Sequence, residues 1–332
     1  MKNRVMTGAV AALGTMLVAG TASGQCGGES VANQNDARVV TASMTQQYSR
    51  DADERRPDIL QTARAAGSFG TLLAAIDAAE LSEILRGEGP FTVFAPTDEA
   101  FRKLPSGTVE ALLQPENRDK LVAILTYHVV PARANAETVV GAPAHKSVNG
   151  QRITVESTNG RVRVGNDRTR ATVTATDILA SNGVIHVIDT VILPQTNNIV
   201  EVAQEAGSFS TLLAAAEAAG LVKVLVGEGP YTVFAPTDEA FRKLPSGTVD
   251  SLLLEENRDQ LASILKYHFV SGRVYSNEAL EAGRAETVQG GEIRIRSRYN
   301  RVMVNDARVV NADIEASNGV IHVIDTVILP GN

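Results

Sequence analysis

Residues 87–109 read GEGPFTVFAPTDEAFRKLPSGTV, and residues 227–249 read GEGPYTVFAPTDEAFRKLPSGTV, differing only at Phe91 against Tyr231. The offset of 140 residues holds from Phe94/Phe234 through His128/His268 to Gly150/Gly290. It falls to 136 at His186/His322, so four residues are absent from the second copy between Val304 and Asp313. A second stretch, ASNGVIHVIDTVILP, recurs unchanged at 180–194 and 316–330. A period this long marks a duplicated domain rather than a solenoid unit, and 332 residues accommodate two domains of ordinary size. The copies are bounded at 56–194 and 195–332. Only the short polar link Gln195–Asn198 joins them, which keeps the domains near neighbours.

Within a copy the hydrophobic period changes midway. In the first half Ile59, Leu60, Ala63, Phe69, Leu72, Leu73 and Ile76 fall near helical spacing. Gly67-Ser68 breaks the run, with Ser68 placed to cap the next helix. FTVFAP (91–96) reads as a short apolar strand ended by proline. Thr97 then caps a helix whose first turn carries Asp98 and Glu99, charges that favour the positive end of the helix dipole. Leu121, Leu125 and His128 follow at i, i+4, i+7 on a further helix. In the second half, Asn149-Gly150 and Asn159-Gly160 are hairpin turns around the alternations Ile153/Val155 and Val162/Val164. Asn182-Gly183 opens VIHVIDTVIL, which reads as a central strand closed by Pro194. Helices followed by antiparallel strands make each copy an α+β module.

Bulk properties exclude several functions. The chain is 44% hydrophobic, 21% charged and 4% aromatic, with no Trp, which disfavours indole-floored sugar grooves and aromatic platforms for single-stranded nucleic acid. Lys2 and Arg4, the apolar run from Val5 to Ala19 and the small residues Ala22-Ser23-Gly24 read as a signal peptide over residues 1–24. Its removal leaves a polar, flexible segment over 25–55 and takes the net charge from −7 to −9. No basic patch stands out against that charge, so no nucleic-acid partner is expected. No stretch is long and apolar enough for a transmembrane segment. The expected location is secreted, extracellular or periplasmic. Cys26 is the only cysteine, so no intramolecular disulfide forms, and the residue is left lipidated, paired with another chain or free.

Catalytic chemistry finds little purchase. The five histidines, His128, His145, His186, His268 and His322, are scattered without metal-ligand spacing, and no nucleophile elbow or phosphate loop is present. No cofactor and no enzymatic activity are expected. His186 and His322, inside apolar strands, read as hydrogen-bonded core residues. His128 and His268 share their spacing with core leucines. Asp177 reads as a cap or turn residue ahead of Ala180–Gly183.

Three motifs recur in order in both copies: TVFAPTDEAF (92–101 and 232–241), a Tyr-His pair, and an Asp-Ile pair leading into ASNGVIHVIDTVILP. This combination closely resembles the fasciclin domain over 59–330. The resemblance implies a wedge of about seven β-strands packed with several helices, and a non-catalytic role in adhesion or matrix binding outside the cytoplasm. It also implies partner contact at the Tyr-His and Asp-Ile positions, here Tyr127, His128, Asp177 and Ile178, and Tyr267, His268, Asp313 and Ile314. The partner would be a cell-surface or matrix protein or polysaccharide, with weak single-site binding multiplied by tandem presentation. Our reading places contact on the Asp-Ile segments and leaves the Tyr-His segments mostly beneath them. Phe269 replaces Val129 and Glu315 replaces Leu179, so the two surfaces need not bind equally. The rival reading is a periplasmic protein binding a small molecule or glycan in a concave pocket.

Overall fold

The structure, a computed structural model, describes residues 56–332 apart from Glu228, Asn300 and Asn332. The signal peptide, the segment 25–55 and Cys26 lie outside the described residues. Among the described residues each copy forms one seven-stranded sheet with helices packed on it, an α+β module. The first sheet contains β1 (Phe91–Pro96), β2 (Val129–Val130), β3 (Ala144–Lys146), β4 (Arg152–Thr158), β5 (Arg161–Gly165), β6 (Arg170–Ala180) and β7 (Gly183–Ile188). Their spatial order is β2-β1-β7-β6-β5-β4-β3. In the second copy β8 (Tyr231–Pro236), β9 (Phe269–Ser271), β10 (Arg284–Glu286), β11 (Glu292–Arg298), β12 (Arg301–Val304), β13 (Ala307–Ala316) and β14 (Gly319–Ile324) repeat that order.

The sheet is mixed rather than antiparallel throughout. β1 and β7 run parallel, in register from Phe91↔Gly183 to Pro96↔Ile188. Helices and hairpins lie between them in sequence, the long crossover that parallel pairing requires. Both strands are covered on both faces, and this explains their unbroken apolar runs. Val93 and Ile185 face the helices with Phe69, Leu72 and Leu125, whereas Phe94 and Ile188 face the hairpin layer with Tyr127 and Ile153. β7 ends at Ile188, so the stretch to Pro194 that reads as strand in sequence leaves the sheet. Ile188 and Ile324 are fully enclosed. Ile188→Ala or Ile324→Ala should therefore cost roughly 2–5 kcal/mol, measured by urea denaturation. A cost below about 1 kcal/mol would contradict this placement.

Two invariant stretches act as fasteners. Asn182 accepts a hydrogen bond from Ile59 N–H (3.0 Å) and donates to Leu85 O (2.7 Å), tying the loop before β7 to helix α1 (Ile59–Ala66) and to α3 (Ser82–Arg86). A Cβ on the neighbouring Gly183 would collide with the Phe91 carbonyl, so this position requires glycine. Asp98 is the second fastener. Its carboxylate accepts from Gly70 N–H (3.2 Å) and Thr71 N–H (2.7 Å), capping helix α2 (Gly70–Ala78) from 27 and 28 residues away. Ser68, which sequence places as that cap, makes no such bond, because Phe69 occupies the cap position. Thr97 does cap its helix, α4 (Asp98–Arg102), through Ala100 N–H.

Of the four residues missing from the second copy, two come out of one turn and one from each flanking strand. Residues 166–169 connect β5 to β6, whereas Asn305-Asp306 alone connect β12 to β13. Phe269 for Val129 is balanced elsewhere: Ala216 stands where the first copy has Ile76, and both positions lie in the core.

Candidate functional site

The Tyr-His pairs close the helix over Arg118–Tyr127 and its counterpart over Arg258–Tyr267, and both pairs are interior. Tyr127, His128, Tyr267 and His268 are at most 4% exposed. The Tyr127 hydroxyl donates to Arg152 O and accepts from Asn166 Nδ2, binding helix to hairpin. Tyr267 repeats this with Glu292 O and Asn305. His128 Nδ1 lies 2.8 Å from Ile124 O, and its Nε2 accepts from Ile192 N–H at 3.3 Å. His268 does the same with Ile264 O and Ile328 N–H. This pattern fixes the neutral tautomer with the proton on Nδ1. Burial holds both imidazoles down at about 4, against the weaker upward pull of the Ile124 and Ile264 carbonyls. The four side chains to which the resemblance assigns partner contact are therefore interior in both domains. Their hydrogen bonds tie the helix end to the hairpin layer and to the segment after the last strand.

The Asp-Ile pairs sit at bulges in β6 and β13, where pairing with the last strand slips between Ala175 and Ile178 and between Asn311 and Ile314. Asp177 and Asp313 adopt left-handed backbone, φ 58° and 61°, which few residues other than Gly, Asn and Asp tolerate. That turn aims each carboxylate at the start of a helix. Asp177 accepts from Ala136 N–H at 2.9 Å, and Asp313 accepts from Ser276 N–H at 2.7 Å and from the Ser276 hydroxyl. Asp177 is thus a cap, but for α7 (Ala136–Gly141) rather than for the turn at 180–183. His186 and His322 brace the bulges from the next strand: His322 Nδ1 accepts from Asp313 N–H at 3.2 Å while its Nε2 meets Val274 O at 2.9 Å. His186 is buried and bonded to Ala134 O, a core role.

Here the two copies part. In the first domain Asp177 is exposed and Leu179 is 43% exposed, with Ile178 half-buried against the helical core. In the second domain the same segment meets the β3–β4 hairpin of the first. Arg152 donates from its backbone to Glu315 Oε1 (2.9 Å) and from Nη1 to Asp313 Oδ2 (3.3 Å), and also bonds Asn277. Its guanidinium lies 3.6 Å from the centre of the Tyr275 ring. The Tyr275 hydroxyl donates to Glu315 Oε1 (2.6 Å) and reaches Gly150 O (3.1 Å). Arg273, its side chain only 5% exposed, pairs with Glu315 Oε2 at 2.7 Å. Burial raises the Glu315 carboxyl, while Arg273, Tyr275 and Arg152 pull it back. Burial and Glu315 together push the Tyr275 hydroxyl up.

This joint answers why Glu315 stands where the first copy has Leu179. A partly buried carboxylate is required by two arginines and a tyrosine; Arg273 repeats Arg133 of the first copy, whereas Arg152, Tyr275 and Glu315 depart from the repeat. Asn135 occupies the position of Tyr275, and Glu292 that of Arg152. Asp313 and Ile314, assigned to partner contact on the resemblance, are therefore engaged within the chain. Sequence reasoning missed Arg152, Arg273 and Tyr275, although the failure of Arg152 and Tyr275 to repeat is a visible signal.

The Fasciclin domain family model matches residues 67–194 and 207–330. Protein sll1483 of Synechocystis is 52% identical over 132 residues, 40% of this chain and 73% of that protein. The transforming growth factor-beta-induced protein ig-h3 of Sus scrofa is 33% identical over 277 residues, 82% of this chain. Human periostin is 31% identical over 258 residues, 76% of this chain. This chain spans only 39% and 30% of those last two proteins. With both family matches falling on the two sheets just described, the chain belongs to the fasciclin-domain family.

Proposed function

We propose that the chain is a secreted, non-catalytic adhesion protein that binds a cell-surface or matrix protein or polysaccharide through the Asp177–Leu179 face of its first domain. One observation carries this reading: the segment presents an exposed carboxylate beside a 43% exposed Leu179 on backbone pinned by the Ala136 bond, while its counterpart in the second domain is covered by Arg152 and Tyr275. A charge and an apolar contact on a rigid strand make a small docking surface, as functional segments on rigid scaffolds commonly do. Family resemblance supports adhesion as its use. With Asp313 engaged, the chain offers this surface once, and gain from multivalency would come from many chains rather than from two domains.

Leu179→Glu should lower attachment of the purified protein to native envelope or matrix preparations by roughly tenfold or more, with an unchanged melting curve, since an exposed side chain contributes little to folding. Wild-type attachment by Leu179→Glu would sink the assignment. The pocket-binding alternative can be weighed at two concavities. An apolar cleft lined by Leu72, Ile84, Phe91 and Val148 encloses about 60 Å³. That is well below the roughly 300–1,000 Å³ of ordinary ligand sites. A groove of about 470 Å³ between the domains, with Arg152, Arg168, Asp313 and Glu315 among a mixed polar and apolar lining, is large enough. Saturable thermal stabilisation by a soluble glycan, lost in Arg168→Ala, would favour that reading.

A further inference from the structure

The linear sequence shows no basic patch, yet the second domain's sheet builds one. Arg294, Arg296 and Arg298 alternate along β11 and are all exposed. Strand register places Arg284 opposite Arg294, Arg301 opposite Arg298, and Met303 between Arg296 and Arg308. Residues directly opposite share a face, so six arginines from four adjacent strands stand on the outward side of one sheet. Ile293, Ile295 and Val304, on the other side, are buried. Among the described residues, Arg294, Arg301 and Arg308 have no ion-pair partner. Arg296 pairs with exposed Asp306 (3.5 Å) and Arg284 with Glu292 (3.8 Å). The corresponding strand of the first domain carries Thr154, Glu156 and Thr158 where β11 has Arg294, Arg296 and Arg298. The concentration of charge is therefore particular to the second copy.

We propose that this arginine face binds an acidic polysaccharide. Side chains two apart on a strand are about 6.6 Å apart and strands about 4.8 Å, so the cations cover an open patch about 13 Å along the strands and about 14 Å across them rather than a pocket. That shape suits an extended polyanion. Arginine's planar fork engages carboxylate or sulfate groups bidentately. Tyr299, 84% exposed at the hairpin tip with the Arg298 guanidinium 5.3 Å from its ring centre, adds a flat surface for a sugar ring. Glu286, Glu292 and Asp306 interrupt the patch, which suits a polymer of moderate charge density better than a nucleic acid's closely spaced phosphates. A protein partner would need an apolar centre, and the face offers scattered apolar groups instead: half-buried Met303, exposed Val310 and Tyr299 at the tip. The face is separate from the Asp177 segment. It shares with the proposed function only the expectation that the chain meets such polymers outside the cell.

The test titrates the full chain with polygalacturonate, with neutral dextran as control. Polygalacturonate should bind with affinity that falls as salt rises, and dextran should not bind. The triple change Arg294→Gln, Arg296→Gln and Arg298→Gln should weaken binding roughly 10- to 100-fold and flatten the salt dependence, with an unchanged melt because all three side chains are exposed. Lysine at the same positions should recover only part of the loss, since it keeps the charge but not the planar fork, and Arg161→Gln with Arg163→Gln in the first domain should change the affinity little. Three outcomes overturn the proposal: no binding to polygalacturonate at low salt, equal binding by the triple variant, or tighter binding to single-stranded DNA or anionic vesicles. Attachment through Leu179 is read out separately, so either assignment can fail alone.

Discussion

As pH falls from 6.5 to about 4, each domain should lose about 3 kcal/mol of stability through one buried histidine. His128 and His268 use both ring nitrogens in the neutral form, one toward a helical carbonyl and one toward the Ile192 or Ile328 N–H. Protonating Nε2 would place a second donor against that N–H inside a site without water's dielectric. The unfolded chain takes up a proton below 6.5, whereas the folded domain resists until about 4. The contribution is fully present above 6.5, declines through that interval and is gone below about 4. Burial lowers His322 too, with the same sign. Glu315 acts oppositely, since its raised carboxyl favours the folded state at low pH and loses that advantage as pH rises through its folded value. One such group does not reverse two histidines. With domains stable by roughly 5–15 kcal/mol, 3 kcal/mol is a large part of the whole. Urea melts at pH 7.5, 5.5 and 4 give the slope, and His128→Gln with His268→Gln should flatten it. An equal slope in the double variant would remove these residues from the account.

Much of this fold is legible along the chain because its signals are local. Gly150, Gly160 and Asn182-Gly183 announce turns, the period switch from 3.6 to 2 separates helices from hairpins, and His128 falls at core spacing with Leu121 and Leu125. What sequence hides is long-range. The capping of α2 depends on Asp98 from the next strand-helix corner, so Ser68, the nearest hydroxyl, looks like the better cap. Parallel pairing of β1 with β7 rests on 86 intervening residues that conceal the crossover. The arginine face draws on residues 284, 294–298, 301 and 308, each unremarkable alone, and strand register alone brings them together. The candidate site was half legible: the Asp-Ile segments were singled out, but which of the two stays open depends on a contact between Arg152 and Glu315, 163 residues apart. In a duplicated chain the positions that fail to repeat carry that information. Val129/Phe269 failed to repeat for packing, and Leu179/Glu315 for joining the domains.

Glu315→Leu, which installs the first domain's own residue, should destabilise the second domain by about 3–5 kcal/mol and release the two domains from one another. Arg273 would remain buried with carbonyls of Ala316, Ser317 and Gly319 but without a carboxylate. The Tyr275 hydroxyl and the Arg152 backbone N–H would lose the same oxygen. Stranding an arginine in this way costs more than the pair contributes, because the charge still suffers desolvation without its partner. Arg273→Met added to Glu315→Leu should therefore recover most of the loss, since replacing both members of a buried pair by apolar side chains is often neutral. Arg152→Gln separates the two effects. It removes the guanidinium from Tyr275, Asp313 and Asn277 but leaves the Arg273–Glu315 pair intact, so it should loosen the joint for only about 1–2 kcal/mol. Denaturant midpoints of the three variants read the stability, and small-angle scattering reads the spacing of the domains. If Glu315→Leu costs less than about 1 kcal/mol and leaves the scattering profile unchanged, Glu315 is a bystander at the joint. The second domain's Asp313–Ile314 segment would then return as a second adhesive face.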